Sequence, residues 1–357
     1  MNIGITFGGY CPLHQGHMDL IMKAKKQNDH TYVFVAGYED DRGGNLLPLK
    51  KRYEIIKPFL EDELTTVKYI NDTELGLDES MSQENWIIWL NFLICGIGKW
   101  EETDTITFYV GEADYKEKIE YWAWVRGYQN VKVDLADRSK HIISGTECRQ
   151  DPIHHWFEMM APFRSYYSHN ILIAGTASEG KTILVNDLAK YFGLPYSYEK
   201  GRDLCKYKTD REFNFKDFMY NLYEQRKLNE ELIASPQNPG IFISDSDNIT
   251  TLMYAHAYSE REGFGINPAE YKVLKDVARE YAKTTKWNKI FLLAPHEKPI
   301  VDDGERYMPD SDYGIRCKFF EDMKSLFDEF GYEYEVLDGN YYENWSKVKE
   351  YIEEVKA

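Results

Sequence analysis

Two stretches of the chain share one local pattern: a short apolar run, a glycine-containing loop and then a helical segment. The first begins with residues 2–7, which lead into Gly8-Gly9 and a segment with apolar residues at helical spacing. The second begins with residues 170–174, which lead into a glycine loop and the helical segment 183–192. A strand that feeds a helix through such a loop is the starting unit of a parallel, doubly wound sheet. The sequence therefore predicts two α/β cores.

Further apolar runs predict the remaining strands, separated by helical segments such as 49–59 and 115–125. In the first half they lie at 31–36, 66–70, 105–110 and 131–134, and in the second half near 240–244 and 289–294. A length of 357 residues also favours two domains. Segment 151–168 is rich in aromatic residues and lacks the Gly/Ser bias of a flexible tether, so we predict an ordered connector helix there. Residues 1–168 then form the first domain and residues 169–357 the second.

The composition excludes several classes of protein. Hydrophobic residues make up 43% and charged residues 29%, which is typical of a globular chain and not of a disordered one. The net charge of −17 repels phosphate backbones and anionic membranes, so we expect no binding of nucleic acid. The 5 cysteines are scattered without C-x-x-C spacing, which favours a reducing, cytoplasmic location. The most apolar segment, 86–97, falls short of the ~20 residues that span a bilayer, so we expect no membrane span.

The first glycine loop continues into the segment H-Q-G-H at residues 14–17. Two histidines three residues apart share one face of a helix, and a helix N-terminus attracts anions. Imidazoles can donate hydrogen bonds to charge that develops on phosphate oxygens without supplying a nucleophile. Downstream, the segment I-S-G-T-E-C-R at 143–149 adds the hydroxyls of Ser144 and Thr146 and the cation of Arg149. These residues predict a polyphosphate site in the first domain.

Residues 175–182 read G-T-A-S-E-G-K-T and satisfy the phosphate-loop pattern G-x-x-x-x-G-K-[ST] between a strand and a helix. The loop N–H groups form an anion nest, Lys181 reaches the β- and γ-phosphates, and the Thr182 hydroxyl can bind Mg²⁺. The strand at 240–244 ends in Asp245-Ser246-Asp247, which supplies carboxylates for a metal-bound water and for a substrate hydroxyl. Which aspartate has which role is open. The glycine loop 301–307 suits a lid whose Arg306 reaches the transferred phosphate.

The H-x-G-H and I-S-x-T-x-x-R segments together resemble the signatures of the nucleotidyltransferase superfamily, whose fold is Rossmann-like. Within it, segments 37–43 and 48–53 and the Trp86/Trp89 pair resemble the nicotinamide-mononucleotide adenylyltransferases of the NadR type. The resemblance implies that the mononucleotide phosphate attacks the α-phosphorus of ATP, giving NAD and pyrophosphate, normally with Mg²⁺. It also implies catalytic roles for His14, His17 and Arg149.

The implied ATP contacts of this domain are Phe7, Gly8, Gly9, His14, His17, Ser144, Thr146 and Arg149, with Glu112 and Asp114 in a more divergent loop. The implied contacts to the nicotinamide substrate are Tyr10, Arg42, Trp86 and Trp89. In related adenylyltransferases an aromatic ring stacks on the nicotinamide, which is a favourable cation–π arrangement. Which tryptophan does so here is open.

The second half resembles the NadR-type ribosylnicotinamide kinase domain, because a phosphate loop, a D-x-D strand end and a D-D-G-x-R segment follow one another in the same order. The resemblance implies transfer of the ATP γ-phosphoryl group to the 5′-hydroxyl of nicotinamide riboside, whose product is the substrate of the adenylyltransferase. The implied ATP contacts are Gly175, Ser178, Glu179, Gly180, Lys181 and Thr182, and the implied substrate contacts are Glu199, Arg202, Asp245, Asp247 and Asp303. Catalytic roles fall to Lys181, Asp245 and Arg306, and metal binding to Thr182 and Asp245.

Two other readings compete with this one. The first is a pantetheine-phosphate adenylyltransferase joined to a dephospho-coenzyme A kinase, but such enzymes usually show T-x-G-H where this chain has His14. The second is a regulator that senses nucleotides without turnover, which the intact Lys181 and Arg149 disfavour. Longer NadR-type chains begin with a helix-turn-helix domain, and this chain begins at the nucleotide-binding strand, so we expect no repressor role. The sequence leaves the oligomeric state, including a homo-oligomer, open.

Overall fold

The computed structural model describes residues 1–39, 46–77, 81–98, 100–101, 103–137, 143–298, 300 and 308–357. The chain divides into two compact units, Met1–Arg164 and Ser165–Ala357, which we call unit 1 and unit 2. The assignment of one function to residues 1–168 and another to residues 169–357 remains a prediction. Among the described residues, no helix combines the length and apolar character that crossing a membrane requires.

Unit 1 contains a parallel sheet of five strands in the order β3-β2-β1-β4-β5. Its elements are β1 (Asn2–Gly8), α1 (Gln15–Gln27), β2 (His30–Gly37), α2 (Leu49–Leu60), β3 (Thr65–Asn71), α3 (Gln83–Ile97), β4 (Thr105–Val110), α4 (Ala113–Arg126), β5 (Val131–Leu135), α5 (Gly145–Gln150) and α6 (Ala161–Arg164). Strand β1 lies at the centre, where Ile3 and Ile5 are fully buried. The strand order reverses between β1 and β4, and ligands of such sheets bind at the carboxyl ends beside this reversal. The loop that follows β1 is therefore in the expected position for a site.

The predicted connector helix is wrong. Residues 152–158 form turns, and within residues 151–168 only the four residues of α6 are helical. The reason is Pro152, because the residue before a proline avoids the helical conformation and α5 ends at Gln150. The segment is nevertheless ordered by unit 1 itself. The Gln15 and Met160 amides donate to the carbonyls of Glu158 and Leu13, which ties these turns to the H-Q-G-H loop.

Unit 2 contains a second parallel sheet of five strands, in the order β10-β9-β6-β8-β7. Its elements are β6 (His169–Gly175), α7 (Lys181–Phe192), β7 (Tyr196–Ser197), α8 (Gly201–Cys205), α9 (Phe215–Ile233), β8 (Ile241–Asp245), α10 (Asn248–Ser259), α11 (Pro268–Ala282), β9 (Lys289–Leu293), α12 (Tyr313–Glu329), β10 (Glu335–Leu337) and α13 (Tyr341–Lys356). Residues Ile171–Ala174 of the central strand β6 are fully buried, as expected for a parallel strand covered on both faces. The predicted fold class, two doubly wound α/β domains, is confirmed.

Candidate functional site

The two histidines of the H-Q-G-H segment lie together at the start of α1. His14 precedes the helix in an extended conformation, and the rings of His14 and His17 stack with centroids 3.7 Å apart. The ring of Tyr10 packs edge-on against His17 at 5.0 Å, and its hydroxyl donates to Thr6 Oγ1. Burial raises the pKa of Tyr10, so its hydroxyl stays protonated. The spacing thus places both imidazoles where the N-terminus of α1 attracts an anion.

Arg149 joins the I-S-G-T-E-C-R segment to this loop. Its guanidinium donates to the carbonyl oxygen of Cys11 and, over 3.0 Å, to Thr146 Oγ1. Gly145 permits this contact, because a Cβ there would lie 3.1 Å from the Cys11 oxygen. The Ser144 hydroxyl caps α5 by accepting from the Glu147 amide. The structure therefore brings Thr146 and Arg149 to the histidine loop, while the Ser144 oxygen serves as a helix cap.

Arg52, on α2, is a residue of this region that the sequence reasoning did not select as a site residue. It is fully buried, and its Nη1 donates to the carbonyl of Gly9 over 2.7 Å. A buried guanidinium is rare unless it is paired or bound, so its place directly behind the loop is informative. The sequence feature that could have indicated it is the basic run Lys50-Lys51-Arg52. The run does not show which of its three side chains is buried.

An aromatic cluster lies at the end of β1. The ring of Phe7 contacts Trp89 at 4.9 Å and Trp86 at 6.3 Å, and Gly8 ends the strand directly after it. Trp89 donates from Nε1 to Asp72 over 2.8 Å. Trp86 is also buried, and the ammonium of Lys118 lies 5.0 Å from its ring. The structure thus groups both tryptophans with Phe7.

The weaker predictions in unit 1 have mixed outcomes. Glu112 precedes α4 as its N-cap residue, and Asp114 forms an exposed ion pair with Lys118 at 2.7 Å. An exposed i,i+4 pair is an ordinary feature of a helix surface, so Asp114 remains only a predicted ATP contact. Arg42 lies outside the described residues.

The phosphate loop of unit 2 runs from β6 to α7 in the predicted context. Gly175 has φ of +148°, and a Cβ there would lie 2.9 Å from the Leu293 carbonyl oxygen. Ser178 and Gly180 also have positive φ, at 67° and 88°. Lys181 begins α7, is 5% exposed, and donates from Nζ to the Thr176 carbonyl over 3.0 Å. The loop therefore has a strongly specified backbone that encloses its own lysine.

The end of β8 meets the start of α7. Thr182 Oγ1 donates to Asp245 Oδ2 over 2.5 Å and accepts from Arg202 Nη2 over 3.2 Å. Glu199 Oε2 lies 3.5 Å from Arg202 Nε, so these two predicted substrate contacts lie side by side. Burial raises the pKa of Asp245, and the nearby Lys181 opposes that change. The structure brings all five of these residues together.

A magnesium ion fits these residues. A threonine hydroxyl beside a carboxylate supplies the oxygen ligands that Mg²⁺ prefers, and Mg²⁺ usually takes only one or two protein ligands beside substrate phosphates and water. The part of the chain that is described has no cluster of three His, Cys, Asp or Glu side chains that could hold a metal.

Asp247 is the N-cap residue of α10. Its Oδ1 accepts from the amides of Ile249 and Thr250, which caps α10. Burial raises the pKa of Asp247 to about 7. Its predicted contact with the substrate stays a prediction. Asp303 and Arg306 lie outside the described residues.

A cleft of about 1040 Å³ opens beside the phosphate loop within unit 2. Ser178, Lys181, Glu199, Arg202 and Asp247 line it. Aromatic side chains form another part of its wall, namely Phe213, Phe218, Tyr254, Tyr258 and Phe319. A concave cleft that combines apolar rings with a few charged groups is typical of a small-molecule site.

Comparison with known proteins agrees with this division of the chain. The family model described as cytidylyltransferase-like matches residues 5–171, and the model described as an AAA domain matches residues 170–344. A solved structure of NadR protein in complex with NAD and AMP-PNP superposes with a TM-score of 0.83, at 28% identity, over 99% of this chain and 96% of that one. The structure of NadR protein in complex with NR gives 0.84, at 27% identity, over 100% and 96%. The chain is similar to NadR along nearly its whole length.

Two curated NadR proteins are also similar to this chain. The trifunctional NAD biosynthesis/regulator protein NadR of Salmonella typhimurium strain LT2 is 27% identical over 274 residues, which is 73% of this chain and 64% of that protein. The protein of the same name from Escherichia coli strain K12 is 28% identical over 209 residues, or 56% and 49%. The chain thus spans about half to two thirds of these curated NadR relatives.

Proposed function

We propose that this chain makes NAD in two ATP-dependent steps. Unit 2 phosphorylates nicotinamide riboside to nicotinamide mononucleotide, and unit 1 joins the mononucleotide to the adenylyl group of a second ATP, releasing pyrophosphate. The observation that carries the proposal is that the chain brings together two groups of residues suited to phosphate: the stacked His14/His17 pair near Arg149, and the phosphate loop with Thr182 and Asp245. The names of the relatives, which refer to NAD biosynthesis and to complexes with NAD, AMP-PNP and NR, support it.

In unit 1 the substrate phosphate is itself the nucleophile, so the protein supplies positions and charge. His14 and His17 donate hydrogen bonds to the phosphates of ATP as charge moves onto the leaving pyrophosphate. The N-terminus of α1 adds its dipole, and Arg149 adds a cation. Arg52 acts from behind by holding the Gly9 carbonyl, which orients the loop backbone. The reaction needs no general base, and none is assigned.

For the nicotinamide ring in unit 1 we assign Trp86. Its ring already lies 5.0 Å from one cation, the ammonium of Lys118, and a pyridinium is a flat cation of the same sign. Its indole Nε1 has no hydrogen-bond partner among the described residues. Trp89 is committed through its Nε1 to Asp72. Tyr10 and Arg42 are retained as proposed contacts of the same substrate.

In unit 2 the γ-phosphoryl group passes to the 5′-hydroxyl of the riboside. Lys181 exchanges the Thr176 carbonyl for the β- and γ-phosphates, since a buried ammonium prefers an anion to a neutral acceptor. Thr182 and Asp245 would hold Mg²⁺, which neutralises phosphate charge when bound. Arg202 reaches the same corner from α8. Asp245 or Asp247 accepts the hydroxyl proton, and Asp303 and Arg306 are retained as proposed contacts.

The cleft of unit 2 suits a cationic riboside. Its aromatic wall can pack on the pyridinium ring, and the side-chain carboxyl groups of Glu199 and Asp247 can hydrogen-bond to ribose hydroxyls. Buried Asp247 holds its proton up to a pH of about 7, so it can also donate a hydrogen bond. The partners we propose are therefore small molecules, ATP and the two nicotinamide compounds, with a cytoplasmic location.

Product analysis tests this proposal. Purified protein is incubated with Mg-ATP and one acceptor at a time: nicotinamide riboside, nicotinamide mononucleotide, 4′-phosphopantetheine or dephospho-coenzyme A. We expect ADP and mononucleotide from the riboside, NAD and pyrophosphate from the mononucleotide, and no product from the pantetheine compounds. Turnover of the pantetheine compounds alone would favour the coenzyme A reading, and turnover of no acceptor would favour a sensor.

A further inference from the structure

Glu179 stands directly before Gly180 in the phosphate loop and carries a buried carboxylate. Its side chain is 1% exposed, although the loop lies beside an open cleft. Oε1 pairs with Nη1 of Arg316, and Oε2 accepts from Nζ of Lys298 over 3.0 Å. The ring of His296 lies 3.8 Å from the same Oε2. The phosphate-loop pattern accepts any residue at this position, so nothing in the motif explains an acid there.

Arg316 is as buried as its partner. It lies in the first turn of α12, and its remaining donors bind main-chain oxygens: Nε donates to Ser311 over 3.1 Å and Nη2 to His296 over 2.9 Å. One guanidinium therefore joins three segments of unit 2: the phosphate loop, the chain that follows β9, and the 3₁₀ turn before α12. Arg316 also lines the cleft together with Ser178 and Lys181.

A negative charge in this place is unfavourable for phosphate binding by itself. A carboxylate beside a polyphosphate site repels it, and a buried acid is costly unless a cation balances it. The favourable contribution must then come from geometry. Ser178 and Gly180, on either side of Glu179, both have positive φ, so the loop keeps a shape that its surroundings must enforce. The buried pair between Glu179 and Arg316, together with Lys298, anchors the loop from outside at this point.

We propose that Glu179 and Arg316 are positioning residues of the kinase site, a buried ion pair that holds the phosphate loop in the shape that receives Mg-ATP. The proposal rests on the kinase function proposed above for unit 2. It assigns Glu179 a side-chain role beyond its backbone contact with ATP. It also assigns a role to Arg316, which no motif of the sequence contains.

The direction in which one substitution changes the KM for ATP distinguishes a positioning role from a purely electrostatic one. Glu179→Gln keeps the size of the side chain and removes a negative charge close to the phosphates. If Glu179 acted through its charge alone, ATP would bind more tightly in this variant. Positioning predicts the opposite, an increase of about tenfold in the KM for ATP, because small displacements of a binding loop have effects of this size or larger. We expect kcat to change less than KM.

The experiment measures ADP release from riboside and Mg-ATP in Glu179→Gln, Arg316→Met and the double variant. The double variant should be no worse than Arg316→Met, since the pair is broken only once. The exposed pair Glu321–Lys324 on the same helix supplies the control, and Glu321→Gln should leave the KM for ATP unchanged. Pyrophosphate release from mononucleotide and ATP reports on unit 1 in the same samples and should not change.

Each other outcome overturns the inference. Tighter ATP binding in Glu179→Gln would mean an electrostatic role, and a lower melting temperature with unchanged KM would mean a purely structural pair. Additive losses in the double variant would mean that the two residues act separately. If the wild-type chain releases no ADP, the proposed function fails first, and calorimetric binding of Mg-ADP, with Lys181→Ala as the baseline, then tests the pair directly. Equal affinity of wild type and Glu179→Gln in that titration would overturn it.

Discussion

The two phosphate-binding loops follow the same strand-to-helix plan and hold an anion by different means. In unit 1 the loop offers side chains, the stacked rings of His14 and His17, and within residues 8–14 a positive φ occurs at Tyr10 alone, at 45°. In unit 2 the loop offers its backbone, which positive φ angles at Gly175, Ser178 and Gly180 shape into a nest. Binding in unit 1 is therefore concentrated in a few side chains, whereas binding in unit 2 depends on the path of the main chain.

The largest expected difference comes from adding a methyl group to each loop. In Gly175→Ala the new Cβ meets the Leu293 carbonyl at 2.9 Å, at a φ that L-residues rarely adopt, so the strand and the loop must both shift. We expect a loss of about 3 kcal/mol in the stability of unit 2 and a fall of about a hundredfold in kinase kcat/KM. Chemical denaturation and ADP release measure the two effects.

Gly9→Ala is the matched variant in unit 1. Its Cβ would lie 3.1 Å from Nη1 of Arg52, which belongs to a side chain and not to a neighbouring strand. We expect smaller losses of stability and of kcat/KM than in Gly175→Ala. The loss of activity should affect pyrophosphate release by unit 1 and leave ADP release by unit 2 unchanged. Equal losses in the two variants would contradict the contrast between a side-chain site and a backbone site.

The next effect concerns the buried cation behind the first loop. Arg52→Met removes the donor to the Gly9 carbonyl, so the backbone of the loop is no longer held at this point. We expect adenylyltransferase kcat/KM to fall by about tenfold or more, with the kinase reaction unchanged. The neighbouring Lys51 is exposed and forms a loose pair with Glu54 at 4.0 Å, so Lys51→Met is the control. Equal activity of the two variants would show that Arg52 does not support the site.

A pH-dependent effect is expected in unit 2 from Asp247. Its pKa is raised from 3.8 to about 7 by burial, so the folded chain keeps a proton that the unfolded chain releases. Its contribution to stability is therefore lost as the pH rises from about 4 to about 7, at no more than about 1.4 kcal/mol per pH unit. Asp247→Asn keeps the helix cap and removes the titration. Urea unfolding at several pH values should show that the Asn variant becomes more stable relative to wild type as the pH rises through this range. If the free energies of unfolding of the two proteins change with pH in parallel, Asp247 is not the origin of the effect.

The smallest expected effect separates the two tryptophans of unit 1. Trp86→Phe weakens the cation–π contact that we assign to nicotinamide, so the KM for the mononucleotide should rise by about threefold to tenfold with little change in stability. Trp89→Phe leaves Asp72 without its indole donor and should lower stability instead. Steady-state kinetics and thermal unfolding of both variants test the assignment, and the reverse pattern would assign the ring to Trp89.

Much of the fold could be predicted because parallel α/β sheets give strong local signals. Buried strands such as residues 171–174 are continuous apolar runs, and the motifs lie at fixed places after them. The helix predicted for the connector, residues 151–168, was wrong. The prediction relied on the aromatic composition of this segment and gave too little weight to Pro152, which prevents the helix from continuing past Gln150. Arg52 and Arg316 could not be selected from the sequence for another reason. The sequence does not show whether an arginine is exposed or buried, because its burial depends on the packing of segments that are distant along the chain.

The central claim is that the two reactions belong to two separate sites, and one pair of variants tests it directly. Lys181→Ala and His17→Ala are each incubated with Mg-ATP and either the riboside or the mononucleotide, and ADP and pyrophosphate are measured. We predict that Lys181→Ala abolishes ADP release from the riboside and still forms NAD from the mononucleotide, while His17→Ala does the reverse. Loss of both reactions in either folded variant would contradict the assignment of one reaction to each unit.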